Sequence, residues 1–177
     1  MKSLTLPELL IVVSIISILG GILLLNFPFI LGNVNLKIGT TQLAEDIEKQ
    51  RNFSLVFAEG AKAYGLKIEK DKTSYFLFDD TNGNGKMEPS EKNVEKELPS
   101  KIQISFLEIK KDTTLLHPNY IYLTFFPPKP EVKLITSDSG SFLDDWKYIK
   151  IQIKIENKSC PTGCKEIKVN PFGIVER

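Results

Sequence analysis

One stretch near the N-terminus limits what this chain can fold into. Between Glu8 and Lys37 lie 28 consecutive residues without a charge, which as a helix would extend roughly 42 Å at about 1.5 Å per residue. The run Leu4–Leu25, LTLPELLIVVSIISILGGILLL, reads by length and hydropathy as a bilayer-crossing helix. Glu8 stands at its front, where an ordinary signal or anchor carries Lys or Arg. An ionisable group in such a position costs about 2.5–3.5 kcal/mol on insertion scales and commonly partners some other group. A removable secretory signal is not indicated, because Gly20 and Gly21 lead into more aliphatic residues and no small-x-small site follows the core.

The segment Ser3-Leu4-Thr5-Leu6-Pro7-Glu8-Leu9-Leu10-Ile11-Val12-Val13 resembles the class III signal of type IV prepilins and of the pseudopilins of type II secretion and competence systems. The resemblance implies that a prepilin peptidase cuts after Ser3, that Leu4 becomes the methylated first residue, and that Glu8 is the retained fifth-position glutamate. The chain departs from the family in having Ser3 for Gly, Leu4 for Phe and Pro7 for an aliphatic residue. In a bundle of such helices, the α-amino group of Leu4 on a neighbouring subunit is an available countercharge for Glu8 and would set the register of assembly.

Beyond the apolar run, Pro28 and Gly32 predict a kink or a melted turn. Leu36, Thr40, Leu43, Ile47, Ser54 and Ala58 then share one helical face, with Glu45, Asp46, Glu48 and Lys49 elsewhere and Gly60 as a stop. From Tyr64 onward the pattern turns to short β-rich runs: 64–68, 74–78, 102–107, 120–125, 132–136, 146–155 and 166–169. Within 149–156, IKIQIKIE alternates strictly and places four isoleucines on one face, a strand with one buried and one wet side. Pro127, Pro128 and Pro130 mark a bend or an edge. At 177 residues, with 42% apolar and 25% charged content and a net charge of +1, the chain has room for one ordinary domain and no bulk field for nucleic acid.

One loop carries specific chemistry. Starting at Asp80, the sequence DTNGNGKMEPSE matches the twelve-residue calcium-loop pattern. Asp80, Asn82 and Asn84 supply oxygens at positions one, three and five, Gly85 the turn at six, and Lys86 its carbonyl at seven. Glu88 and Glu91 fall at nine and twelve, and Ca2+ is the expected ion, bound with the modest affinity of an extracellular site. The alternative is an Asn-Gly/Asn-Gly turn between two strands. A strand followed by an acidic turn of this kind also resembles minor pseudopilins of the GspH/FimT type. Cys160 and Cys164, the only cysteines, flank one CPTGC turn and form either a short disulfide loop or two free thiols. Lys147, Lys150, Lys154, Lys158, Lys165 and Lys168 make the C-terminal part locally basic, either a solvated strand face or a weak DNA-binding surface. His117 is alone, and no GxSxG, P-loop, HExxH or GxGxxG motif occurs.

The expected fold is α+β and pilin-like: a long N-terminal helix, membrane-spanning in its first half and amphipathic in its second, packed on an antiparallel sheet. Residues 1–3 would be a leader, 4–32 the transmembrane and assembly helix, and 33–177 the amphipathic helix with a β-rich head. The resemblance implies a structural subunit rather than an enzyme, a component of a pilus or pseudopilus filament. Its implied partners are like subunits, the prepilin peptidase and an inner-membrane assembly platform. Its implied place is the inner membrane with an extracytoplasmic head, and then the extracellular pilus or periplasmic pseudopilus. The rival is a monomeric membrane-anchored module that binds calcium or DNA; an extracytoplasmic enzyme is a third reading.

Overall fold

The computed structural model of the chain describes residues 5–56, 62–128 and 131–176, with the side chains of 22–29 and of Glu131 outside that description. Helix α1 spans Leu6–Val56, 51 residues, and its described side chains fall into two stretches, 6–21 and 30–56. In the second, Leu36, Thr40, Leu43, Ala44, Ile47, Gln50 and Ser54 are buried, at the three- and four-residue spacing of one helical face. The periodicity anticipates this face, with Ala44 and Gln50 in addition; Ala58 and the stop at Gly60 lie outside the described residues. Where Pro28 and Gly32 predict a melted turn, the backbone remains helical. Gly32 instead admits a neighbour: Ile155 Cδ1 lies 3.5 Å from where a Cβ would stand.

Eleven strands follow among the described residues, in two antiparallel sheets. The first has the order β3-β2-β1-β6-β7-β8, formed by Asn93–Glu97 (β3), Ser74–Asp80 (β2), Ala63–Glu69 (β1), Tyr120–Phe126 (β6), Glu131–Thr136 (β7) and Phe142–Leu143 (β8). The second runs β11-β10-β9-β4-β5, formed by Val175–Glu176 (β11), Cys164–Val169 (β10), Trp146–Ile155 (β9), Ile102–Lys111 (β4) and Thr114–Leu116 (β5). Period-two alternation gives each sheet an inner apolar face. Ile149, Ile151, Ile153 and Ile155 are all buried on β9, and Ile102, Ile104, Leu107 and Ile109 oppose them along β4. One apolar cluster joins these residues to Leu66, Ile68, Tyr75, Ile121, Leu123 and Phe125 of the first sheet and to Leu36, Leu43 and Ile47 of α1.

Two expectations are corrected. The described residues are mostly strand, in two sheets rather than one sheet under a helix, so the expected α+β arrangement does not hold. The physical reason is the amount of apolar strand surface: the paired strands β4 and β9 bury their isoleucine-rich face in a cluster shared with the first sheet as well as with α1. The transmembrane half is also corrected, since no helix among the described residues is long and apolar enough to cross a membrane. Of the two described stretches of α1, 30–56 carries Lys37, Glu45, Asp46, Glu48, Lys49 and Arg51. The expected single-pass anchoring in an inner membrane is therefore not supported.

Candidate functional site

Among the described residues, the stretch 6–21 of α1 contributes nothing to the core. From Leu6 to Leu19 its large aliphatic side chains are between 50% exposed (Val12) and 76% exposed (Leu6), around the whole circumference of the helix. Farther on, where one face is buried, the opposite face still exposes Leu31, Val34 and Ile38. Soluble chains rarely display so continuous an apolar surface unless something covers it.

Glu8 has a local role that its position in the apolar run concealed. The backbone N–H and the hydroxyl of Thr5 donate to Glu8 Oε2 at 2.8 and 2.7 Å, and the N–H of Leu9 reaches the Thr5 carbonyl at 3.2 Å. Thr5 is thus the N-cap and Glu8 the third helical residue, the Thr-x-x-Glu pairing of a capping box. Pro7 falls in the first turn, where its missing N–H has no intrahelical acceptor to serve. The Thr5 N–H, and secondarily its hydroxyl, hold the Glu8 carboxyl below its usual range. Thr5 is the residue that sequence reasoning missed, although the Thr-x-x-Glu spacing could have revealed it. Ser3 and Leu4, the expected cleavage and methylation positions, lie outside the described residues.

The loop after β2 gathers Asp80, Asn82, Asn84, Lys86, Glu88 and Glu91 and spends the side-chain oxygens of Asp80, Asn82, Asn84, Glu88 and Glu91 on the loop itself, with Lys86 a backbone donor within it. Asp80 is fully buried; its Oδ1 accepts the Gly83 N–H at 2.6 Å and its Oδ2 the Gly85 N–H at 2.7 Å. Glu91 Oε1 accepts the N–H of Thr81 at 2.9 Å, and Oε2 that of Glu88 at 3.1 Å. Asn82 Oδ1 accepts the Asn84 N–H at 2.8 Å, and Asn84 Oδ1 the Lys86 N–H at 2.7 Å, while Asn84 Nδ2 donates to Glu88 Oε1 at 2.6 Å. The knot is pressed against the outer side of the first sheet. Thr124 on β6 donates its hydroxyl to the Gly85 carbonyl at 3.2 Å, and a Cβ on Gly85 would stand 2.5 Å from the Phe142 ring of β8. The donor set is oxygen only, as a hard cation requires. Among the described residues, however, no group of three or more acidic, His or Cys side chains converges on a point.

The basic C-terminal strands are interleaved with acids. On the outer face of the second sheet, Lys150 Nζ lies 3.4 Å from Glu108 and 3.9 Å from Glu166. Lys168 stands over the Tyr148 ring at 4.4 Å. Cys160 and Cys164 are joined in a disulfide, with Cα atoms 5.3 Å apart, which resolves the two readings of that turn. The His117 ring packs on Phe106 with centroids 4.9 Å apart. No protein-family model, curated protein or solved structure matches this chain.

Proposed function

We propose that the chain is a structural subunit that assembles with copies of itself, or with related subunits, through the apolar half of α1. This is the role of the type IV pilin and pseudopilin family that residues 3–13 resemble. The observation that carries the proposal is the uncovered aliphatic surface from Leu6 to Leu19. Burying half of it between neighbouring helices would contribute on the order of 10 kcal/mol at about 25 cal/mol per Å², enough to drive assembly. A prepilin peptidase would act between Ser3 and Leu4 before assembly. In such a bundle Glu8, already fixed by Thr5, lies one turn from the new N-terminus and can meet the amine of a neighbouring Leu4.

The test is electron microscopy and light scattering of the full chain, against Ile11→Lys and Ile15→Lys variants. Filaments or large particles are expected from the parent and their loss from both variants, with the head still folded. Monomeric behaviour of the processed parent would overturn the proposal. Mass spectrometry of the native N-terminus checks the processing step, the expected product beginning at a methylated Leu4.

A second part of the proposal concerns the loop Asp80–Glu91, where calcium is the ion class supported by the oxygen-only donor set and by the bond between Asp80 and Gly85 at positions one and six. Binding would draw on Asp80, Asn82, Asn84, the Lys86 carbonyl, Glu88 and Glu91, and would require Glu88 and Glu91 to release their present partners. Millimolar calcium should then raise the melting temperature, because an ion bound only by the folded state stabilises it. An unchanged melting temperature would overturn this part.

A further inference from the structure

We propose that Asn82 and Asn84 form a latent deamidation site whose reaction the buried carboxylate of Asp80 suppresses. The sequence holds two Asn-Gly steps, Asn82-Gly83 and Asn84-Gly85, two residues apart in one loop. Glycine after asparagine leaves the attacking backbone unhindered, which makes these steps the chemically weakest amides in the chain. In the reaction the glycine N–H loses its proton to a solvent base, and the nitrogen attacks the asparagine Cγ. A new C–N bond closes a succinimide while the Cγ–Nδ2 bond breaks and ammonia leaves. Water then opens the ring to aspartate or isoaspartate.

Both attacking nitrogens are occupied by one side chain. The Gly83 N–H is donated to Asp80 Oδ1 at 2.6 Å and the Gly85 N–H to Oδ2 at 2.7 Å. Asp80 has no exposed surface, so water does not compete for it. A carboxylate accepting an N–H opposes loss of that proton, because the amide anion would face a negative charge at hydrogen-bond distance. The two asparagines are held unequally. Asn84 is pinned at both ends, by the Lys86 N–H and by Glu88, whereas Asn82 is exposed and is held through its Oδ1 by the Asn84 N–H. Asn82 is therefore the position that converts first. Conversion at Asn84 would replace the amide donor facing Glu88 with a second carboxylate.

The experiment incubates the purified full chain at mildly alkaline pH and follows both asparagines by peptide mass spectrometry, in buffer and in denaturing urea. Asp80→Asn and Glu91→Gln are run beside it, with folding checked by circular dichroism. Conversion in buffer should be slower than in urea by about tenfold or more, the worth of a hydrogen bond to a charged group. Asp80→Asn should recover most of that factor at both positions. Glu91→Gln loosens the loop but leaves both glycine amides on Asp80, and should stay within about twofold of the parent. Equal rates in buffer and urea would overturn the proposal. So would a folded Glu91→Gln that converts as fast as the unfolded chain, an outcome that remains readable if Asp80→Asn does not fold.

Discussion

Tyr75 is buried without exposed surface, yet carries a hydroxyl that must be satisfied there. It donates to Asp46 Oδ2 at 2.7 Å and accepts from Gln42 Nε2 at 3.2 Å, tying β2 to α1. Burial, and then the Asp46 carboxylate, push the phenol well above its ordinary range. A raised folded-state value means the stabilisation is intact below the unfolded tyrosine pKa of about 10 and is lost as pH rises above it. Alkaline unfolding followed by circular dichroism should show stability falling above pH about 10, and Tyr75→Phe should flatten that fall. At neutral pH the same variant should cost about 1–2 kcal/mol, because Asp46 loses its donor. Gly85 is a second position where one atom decides: with φ at +74° and the Phe142 ring 2.5 Å from where a Cβ would stand, there is no room for a side chain. Gly85→Ala should lower the melting temperature by an amount equivalent to about 1–3 kcal/mol. The loop's glycine was legible as the sixth position of a cation pattern; its contact with β8 was not, since nothing local marks a long-range partner.

At the scale of elements, the two faces of β9 should respond unequally. Ile151 is buried among β4, β10 and the core, so Ile151→Ala should cost about 2–5 kcal/mol in urea unfolding. Lys150 sits on the wet face between Glu108 and Glu166, and Lys150→Ala should cost about 1 kcal/mol or less. This asymmetry was legible because IKIQIKIE alternates strictly; period-two and β-rich runs also located β1, β2, β6, β7 and β10 near their observed ends and the start of β4, which continues to Lys111 rather than stopping at Leu107. Strands β3, β5, β8 and β11 were not legible. β3 is NVEKE, mostly charged, and the other three have two or three residues each. Such strands carry little hydrophobic pattern because they lie at sheet edges, where charge and brevity guard against pairing with another chain. At the start of α1 the apolar run draws the eye to a neighbouring subunit as the partner of Glu8, and the partner within the chain, Thr5, stands three residues away. Because Thr5 lowers the Glu8 carboxyl, its capping is present above the ordinary glutamate range and is lost as pH falls through the lowered value. Glu8→Gln should remove that pH dependence and speed amide exchange in the first helical turn, whereas Thr5→Ala, which keeps the backbone N–H, should only weaken it.

Across the whole molecule, the core and the apolar half of α1 are separable. Among the described residues the buried apolar ones begin at Leu36, and none from Leu6 to Leu19 belongs to the cluster that joins the two sheets. Two-state stability depends on that cluster, whereas the proposed association would draw on the surface it leaves bare. A chain beginning at Ile30 keeps Gly32 against Ile155 and keeps the Asn35 amide on the Ser100 carbonyl at 3.2 Å. It should therefore melt at the temperature of the full head and elute as a monomer. The full chain at equal concentration should form large particles whose amount rises with concentration, as mass action requires. Retained assembly by the shortened chain would move the interface to the head; loss of its cooperative melt would mean that the first half of α1 stabilises the core after all.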